Sequence, residues 1–229
     1  MPEKRPFHDS NKRKPFHDSN KRRNEALALA QGEPYDVIEF RGARFDKQTA
    51  SLLWEAERRL GYELTVMQGS YNTGVSQSGG THDGGGAADL APFDHKRKVR
   101  VLRKLGMDAW HRPELWVDGR LVWGEHIHGV VHNNKRLSAA AKAQTVDYDN
   151  HLNGLASHAR DHQKPHPDRP PVWNYHKWAR EQRQAERARR RWAGAARKAV
   201  NALRNLLRHT DDKATRAEIQ SYIKGVRAH

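Results

Sequence analysis

Two stretches of the chain carry histidine and carboxylate residues at spacings that suit a metal site. The first, residues 68–89, places His82 and Asp89 on either side of six residues that are mostly Gly and Ala. The second, WGEHIHGV, holds three such residues within four positions: Glu125, His126 and His128. Imidazole and carboxylate are the usual nitrogen and oxygen ligands of a catalytic zinc ion, which keeps three protein ligands and one position for water. The two stretches together predict a zinc site.

The second stretch also suggests roles around the ion. Glu125 stands three residues before His128, near enough for its carboxylate to act on the zinc's water without being a ligand. Alternation along a strand places His126 and His128 on one face. His126 is therefore a neighbour of the site, as a hydrogen-bond donor, a stabiliser of the transition state or an alternative ligand. The glycines permit a sharp turn and let a substrate backbone approach the metal.

These motifs resemble those of the zinc D-Ala-D-Ala carboxypeptidases and L-alanyl-D-glutamate endopeptidases, which share the Hedgehog/DD-peptidase fold. The first family motif, S-x-H-x-x-G-x-A-x-D, is matched by four residues: His82, Gly85, Ala87 and Asp89. The second, an acidic residue three positions before a histidine, is matched by Glu125 and His128. The similarity covers residues 35–153 and points to a branch found in actinobacteria and their phages.

The resemblance implies a division of labour among these residues. His82, Asp89 and His128 would bind Zn²⁺, Glu125 would be the general base, and His126 would join it in catalysis. Two family features are missing, because Gly80 replaces the motif serine and residues 69–72 lack the arginine that holds the substrate carboxylate. Substrate binding is therefore expected from neighbouring polar residues: Gln68, Tyr71, Asn72, Ser78 and Thr81.

Composition sets the outer bounds. The 229 residues suffice for one ordinary domain with appendages, and 36% hydrophobic residues with a mean hydropathy of −1.03 are too few for all of them to surround a core. A net charge of +15 points to a polyanionic partner such as nucleic acid, anionic lipid or wall polymer. The absence of cysteine excludes disulfides and thiolate metal sites. No apolar segment resembles a signal peptide, so cytoplasmic synthesis is expected, with action at the envelope after lysis or through a holin.

The composition divides the chain into four parts. Residues 1–31 form a basic tail expected to be disordered, in which PFHDSNKR occurs at 6–13 and again at 15–22. We interpret this duplication as solvated rather than metal-binding. The zinc peptidase-like domain occupies residues 35–153, a Pro- and His-rich linker occupies 154–173, and a basic helical extension occupies 174–229. The linker histidines are spaced irregularly, which argues against a second metal site there.

Periodicity within the domain predicts both helices and strands, and the resemblance implies that they form an α+β fold, a small antiparallel sheet flanked by helices. Strands are expected at 37–40, 64–68, 87–91, 109–110, 115–117 and 126–132. Helices are expected from Asp46 or Thr49 to Leu60, from Asp94 to Leu105, and from Ser138 to Val146, each opening on a residue that can cap it.

The extension reads as a long basic amphipathic helix from 174 to 208 and a shorter one after Asp211. The long helix has eleven Lys or Arg and two Glu between Lys177 and Arg208. Such a helix can bind an anionic membrane, wall polymer or nucleic acid, or dock on the core by its apolar stripe.

The function predicted from the whole sequence is a monomeric zinc peptidase acting on peptidoglycan, such as a phage endolysin. The alternatives are a zinc fold that is non-catalytic or differently directed, and a scaffold whose basic ends bind envelope polyanions or nucleic acid.

Overall fold

The computed structural model describes residues 19–75 and 78–227, and the chain divides into two compact units, 1–179 and 180–229. The helices of the described residues are α1 (Ser19–Leu29), α2 (Lys47–Leu60), α3 (His95–Leu105), α4 (Ala139–Asp149), α5 (Tyr175–Arg208) and α6 (Lys213–Arg227). The strands are β1 (Val37–Phe40), β2 (Ala43–Asp46), β3 (Val66–Gln68), β4 (Ala87–Leu90), β5 (Met107–Arg112), β6 (Leu115–Val117), β7 (Arg120–Trp123) and β8 (His126–Val131).

A four-stranded antiparallel sheet, ordered β3-β4-β8-β5, is the frame of the first unit. Its register pairs Asp89 with His128, and His128 in turn with Trp110. Side chains that are adjacent across strands lie on the same face. The sheet therefore brings residues from three distant segments together, and the predicted α+β class with a small antiparallel sheet is confirmed.

The two faces of the sheet have different partners. One face contributes residues such as Leu90 and Ile127 to the main core, where they are packed with α2 and α3. The apolar stripe predicted for α3 is buried there: Val99, Leu102 and Leu105. On the other face Val130 packs against Leu137 and Ala141, at the start of α4. This second face is the one that carries the histidines.

Local sequence signals set most of the boundaries. Asp46 caps α2 by accepting a hydrogen bond from the Thr49 amide at 2.7 Å, and Gly61 ends that helix in the left-handed region. Ser138 caps α4 as expected. Asp94 occupies the predicted N-cap position of α3, but its side chain makes no capping hydrogen bond, because its carboxylate accepts a hydrogen bond from the Tyr62 hydroxyl at 2.9 Å.

The predicted tail is shorter than residues 1–31. Residues 19–29 form α1, in which Arg22, Ala26 and Leu29 are buried, so the second copy of the repeat ends inside a folded helix. Arg22 forms an ion pair with Glu57, whose carboxylate is fully buried. Since a buried carboxylate needs a cationic partner, this pair fixes α1 on α2. The first copy of the repeat lies outside the described residues, and so do both His-Asp pairs, His8-Asp9 and His17-Asp18.

Residues 150–179 cover the domain rather than link it to the next unit. Arg103 forms a buried ion pair with Asp161, and Trp110 donates a hydrogen bond to the Leu152 carbonyl at 3.1 Å. Further along, Tyr175 and Trp178 lie in the main core. The predicted linker is thus part of the first unit, and the unit boundary falls within α5 rather than at residue 174.

The histidines of this covering segment have structural partners. His166 is buried, stacks on Tyr148 at 4.1 Å and bonds to Asp161. His158 bonds to Asp147 at 3.0 Å. His166 and His158 thus help to hold the covering segment on α4, to which both Tyr148 and Asp147 belong.

The second unit contains most of α5, together with α6. Val200, Ile219 and Ile223 form its buried cluster, with Leu203 and Leu207 packed against it. Trp192, also part of the predicted stripe, is half exposed. Within the described part of the chain, no helix combines the length and apolar character needed to cross a membrane.

Candidate metal centre

The carboxylate of Asp89 is the point on which the candidate site converges. Its Oδ1 lies 2.7 Å from Nδ1 of His128 and 3.3 Å from Nε2 of His82. The donor atoms of these three residues all lie within 4.8 Å of one another. The three predicted ligands, drawn from a loop, β4 and β8, are therefore brought together by the fold.

The hydrogen bond on the far side of each ring determines whether the nitrogen that faces Asp89 carries a proton when the ring is neutral. Nδ1 of His82 lies 2.8 Å from the Gly69 carbonyl, to which only a protonated nitrogen can donate, so Nε2 carries no proton when the ring is neutral. Burial opposes protonation of this ring, but the neighbouring Asp89 carboxylate outweighs it and raises the pKa of His82. Nε2 of His128 lies 2.8 Å from Oε1 of Gln144, whose amide nitrogen donates to the Gly154 carbonyl at 2.9 Å. That orientation makes Nε2 of His128 a donor and leaves Nδ1 as the free lone pair.

When both rings are neutral, their lone pairs and the Asp89 carboxylate face one small space that a shared cation, a proton or a metal ion, would fill. His82 is fully buried, and its Nε2 has no hydrogen-bond partner among the described residues. Burial lowers the pKa of His128, which disfavours a second proton on that ring. Burial also opposes ionisation of Asp89, but a proton shared with the His128 and His82 rings outweighs it and lowers the pKa of this carboxyl. Two nitrogens and one anionic oxygen fit the ligand set of a zinc ion.

The glycine-rich turn between His82 and Asp89 is required by packing. A Cβ on Gly84 would lie 2.3 Å from the Arg136 carbonyl oxygen, and one on Gly86, whose φ is +83°, would lie 2.5 Å from Leu137. The Gly85 amide donates to the same Arg136 carbonyl at 2.7 Å. These glycines let the ligand loop lie directly on residues 134–138.

His126 lies beside the three candidate ligands. Its Nδ1 is 2.7 Å from the Gly124 carbonyl, and its Nε2 faces Oδ1 of Asp89 at 3.9 Å. The same tautomer argument therefore leaves Nε2 without a proton and open to the cleft. This position agrees with the predicted neighbour of the site and suits a group that accepts a proton.

Glu125 is not brought to this cleft. Its carboxylate bonds Nε2 of His111 at 2.7 Å and is half exposed. Strand alternation is the physical reason: Glu125 precedes His126 and so points to the opposite face of the sheet. The sequence-based assignment of Glu125 as the general base is not supported by this arrangement.

The candidate ligands line a cleft of about 260 Å³. Of the five predicted substrate-binding residues, Gln68, Ser78 and Thr81 lie on its wall. Tyr71 and Asn72 are not part of that wall, since the Tyr71 hydroxyl faces the buried carboxylate of Asp46 at 3.5 Å. Burial, together with the charge of that carboxylate, raises the pKa of Tyr71 to about 12.

Sequence reasoning missed two further residues of the cleft wall. Gln144, on α4, fixes the tautomer of His128. Arg112, at the end of β5, is 5% exposed, and its Nη2 is buried without a hydrogen-bond partner among the described residues. Burial lowers the pKa of Arg112 to about 10, so it stays cationic at neutral pH. The pairing of Arg112 with His126 could have been found only from the strand register.

Comparisons of the chain with protein-family models, with curated proteins and with solved structures gave no match.

Proposed function

We propose that the protein is a zinc-dependent hydrolase that cleaves peptide bonds in the stem peptides of peptidoglycan, as a phage endolysin does. The observation that carries this proposal is the convergence of two imidazole nitrogens on Oδ1 of Asp89 inside a cleft. The match of His82, Asp89 and His128 to the motifs of zinc carboxypeptidases and endopeptidases with the Hedgehog/DD-peptidase fold supports the choice of substrate.

The residues of the cleft suit a division of labour in hydrolysis. His82, Asp89 and His128 would hold the ion, which when bound supplies Lewis-acid activation of water and of the scissile carbonyl. Nε2 of His126 would take a proton from the attacking water and return it to the leaving amine, as general acid–base catalysis requires. Gln144 keeps His128 in the tautomer that ligates.

Arg112 supplies the positive charge that residues 69–72 lack. A buried guanidinium on a cleft wall, with an N–H donor that no neighbour uses, is suited to binding a carboxylate. Hydrogen bonds between two charged groups are strong, and the planar guanidinium matches the planar carboxylate. Stem peptides carry free carboxylates. Arg112 would therefore orient the peptide across the cleft, in place of the family's arginine.

The basic charge of the chain would hold the enzyme at its substrate. The helix α5 carries eleven Lys or Arg and two Glu from Lys177 onward, and cell-wall polymers are anionic. Release by lysis or a holin would bring the protein to the envelope. Nucleic acid is the alternative polyanion, in which case the cleft would be a scaffold or would act on another substrate.

Digestion of purified peptidoglycan, with mass analysis of the released fragments, tests the proposed function. We expect the zinc-loaded protein to release peptides cut at one type of amide bond, a chelator to stop the release, and added Zn²⁺ to restore it. A protein that binds zinc but releases no fragment would overturn the peptidase proposal while leaving the metal centre standing.

Replacing Arg112 with Gln is expected to weaken cleavage of substrates with a free carboxylate. A hydrogen bond to a charged group is worth about 1.5–3 kcal/mol, so kcat/KM should fall by roughly 10- to 150-fold. The comparison uses a stem peptide and the same peptide amidated at its carboxylates, which should be cleaved slowly by both proteins. Equal losses for the two peptides would show that Arg112 only supports the fold, and thermal melting of each protein accompanies the assay.

A further inference from the structure

A second cluster of metal-binding side chains lies near the end of the β5–β8 strand pair. It consists of His95, the first residue of α3, His111 on β5, and Glu125, just before β8. One donor atom from each of the three lies within 4.8 Å of the others. Because His111 alternates with Trp110 and Arg112 along β5, the cluster faces away from the cleft.

We propose that His95, His111 and Glu125 form a second binding site for a divalent transition-metal ion such as Zn²⁺. Two imidazoles and a carboxylate favour Zn²⁺, Ni²⁺ or Cu²⁺ over Mg²⁺ and Ca²⁺, which take oxygen ligands. Nothing in the proposed hydrolysis uses these residues.

The contacts within the cluster leave the His95 ring available to a ligand. The rings of His95 and His111 stack at 3.9 Å with an interplanar angle of 11°. The His95 imidazole makes no hydrogen bond within the described ranges, whereas Nε2 of His111 bonds Glu125 at 2.7 Å. His95 therefore keeps its ring nitrogens available for an ion.

Only a small rearrangement is needed to bind an ion. Bonds of about 2.0–2.1 Å in a tetrahedral site place donor atoms about 3.4 Å apart. The donor atoms of this cluster lie within 4.8 Å of one another. Side-chain rotation would shorten these distances, and the partial exposure of all three residues permits that rotation. A bound ion would tie α3 to the segment that leads into His126. The second site would thereby stabilise the position of the proposed acid–base residue.

Zinc titration of the metal-free full-length protein, followed by calorimetry and by elemental analysis of the desalted complex, tests the second site. We expect His95→Ala to lower the bound zinc by one equivalent while the tighter site is retained. Asp89→Ala should remove the tighter equivalent and keep the weaker one. His162→Ala is the matched control, since His162 is exposed and belongs to neither cluster, and it should bind as much zinc as the wild type.

An unchanged zinc content in both His95→Ala and His111→Ala would overturn the proposal. X-ray absorption of zinc-loaded Asp89→Ala gives an independent answer. Two imidazoles should appear in the ligand shell of the remaining zinc ion, and this two-imidazole signal should be lost in Asp89→Ala/His95→Ala. A shell without imidazole would also overturn it. Circular dichroism of every variant checks folding, and His95→Ala removes no hydrogen bond. These measurements do not depend on whether the protein hydrolyses peptidoglycan.

Discussion

Replacing Asp89 with Ala is expected to abolish hydrolysis and to remove zinc from the central site. Its Oδ1 is the atom that both His82 and His128 face, at 3.3 and 2.7 Å. Loss of an outer partner of a ligand already costs about 10- to 100-fold in metal affinity, and loss of a ligand should cost more. Since metal activation supplies several kcal/mol and each 1.36 kcal/mol is tenfold, the rate should fall by more than about a thousandfold.

Asp83→Asn is the matched control for this substitution. Asp83 lies in the same loop, directly after His82, but is exposed. We expect it to bind zinc and to cleave peptidoglycan at nearly the wild-type rate. Zinc content after gel filtration and the release of peptides are measured on the same samples. Asp89→Ala protein that keeps both zinc and activity would show that the three side chains do not form the catalytic centre.

The candidate ligands could be proposed from the sequence because the motifs that contain them are short, although their convergence depends on the pairing of β4 with β8. The spacing from His82 to Asp89 and the alternation along 126–131 are local, and both survive in the structure. The stripe of α3 and the Ser138 cap were predictable for the same reason: the residues that define them are within one or two turns of each other.

The rest of the site depends on long-range register, which a single sequence does not show. Arg112 and Gln144 reach the cleft from β5 and α4, and no spacing relates them to His82. The covering segment of residues 150–179 is polar, so its burial depends on partners such as Arg103 rather than on an apolar pattern. Alternation already shows one conflict in the sequence-based assignment, because it places Glu125 on the opposite face from His126.

The two candidate acid–base residues should therefore differ sharply when each is replaced. We expect His126→Ala to lower kcat by about 10²- to 10⁴-fold, the usual contribution of a positioned general base. The central zinc should be retained, since His126 is not one of the three grouped donors. Glu125→Gln should cost at least tenfold less than His126→Ala, because the Glu125 carboxylate bonds His111 instead of facing the cleft.

The comparison needs kinetics of peptide release together with the zinc content of each variant. His126→Ala protein that loses the central zinc would make His126 a fourth ligand rather than the base. A larger loss in Glu125→Gln than in His126→Ala would restore the carboxylate as the base, and would require its side chain to leave His111 when substrate binds. The result expected from the geometry is the opposite one, because Nε2 of His126 is the unprotonated nitrogen that faces Asp89 across the cleft, at 3.9 Å.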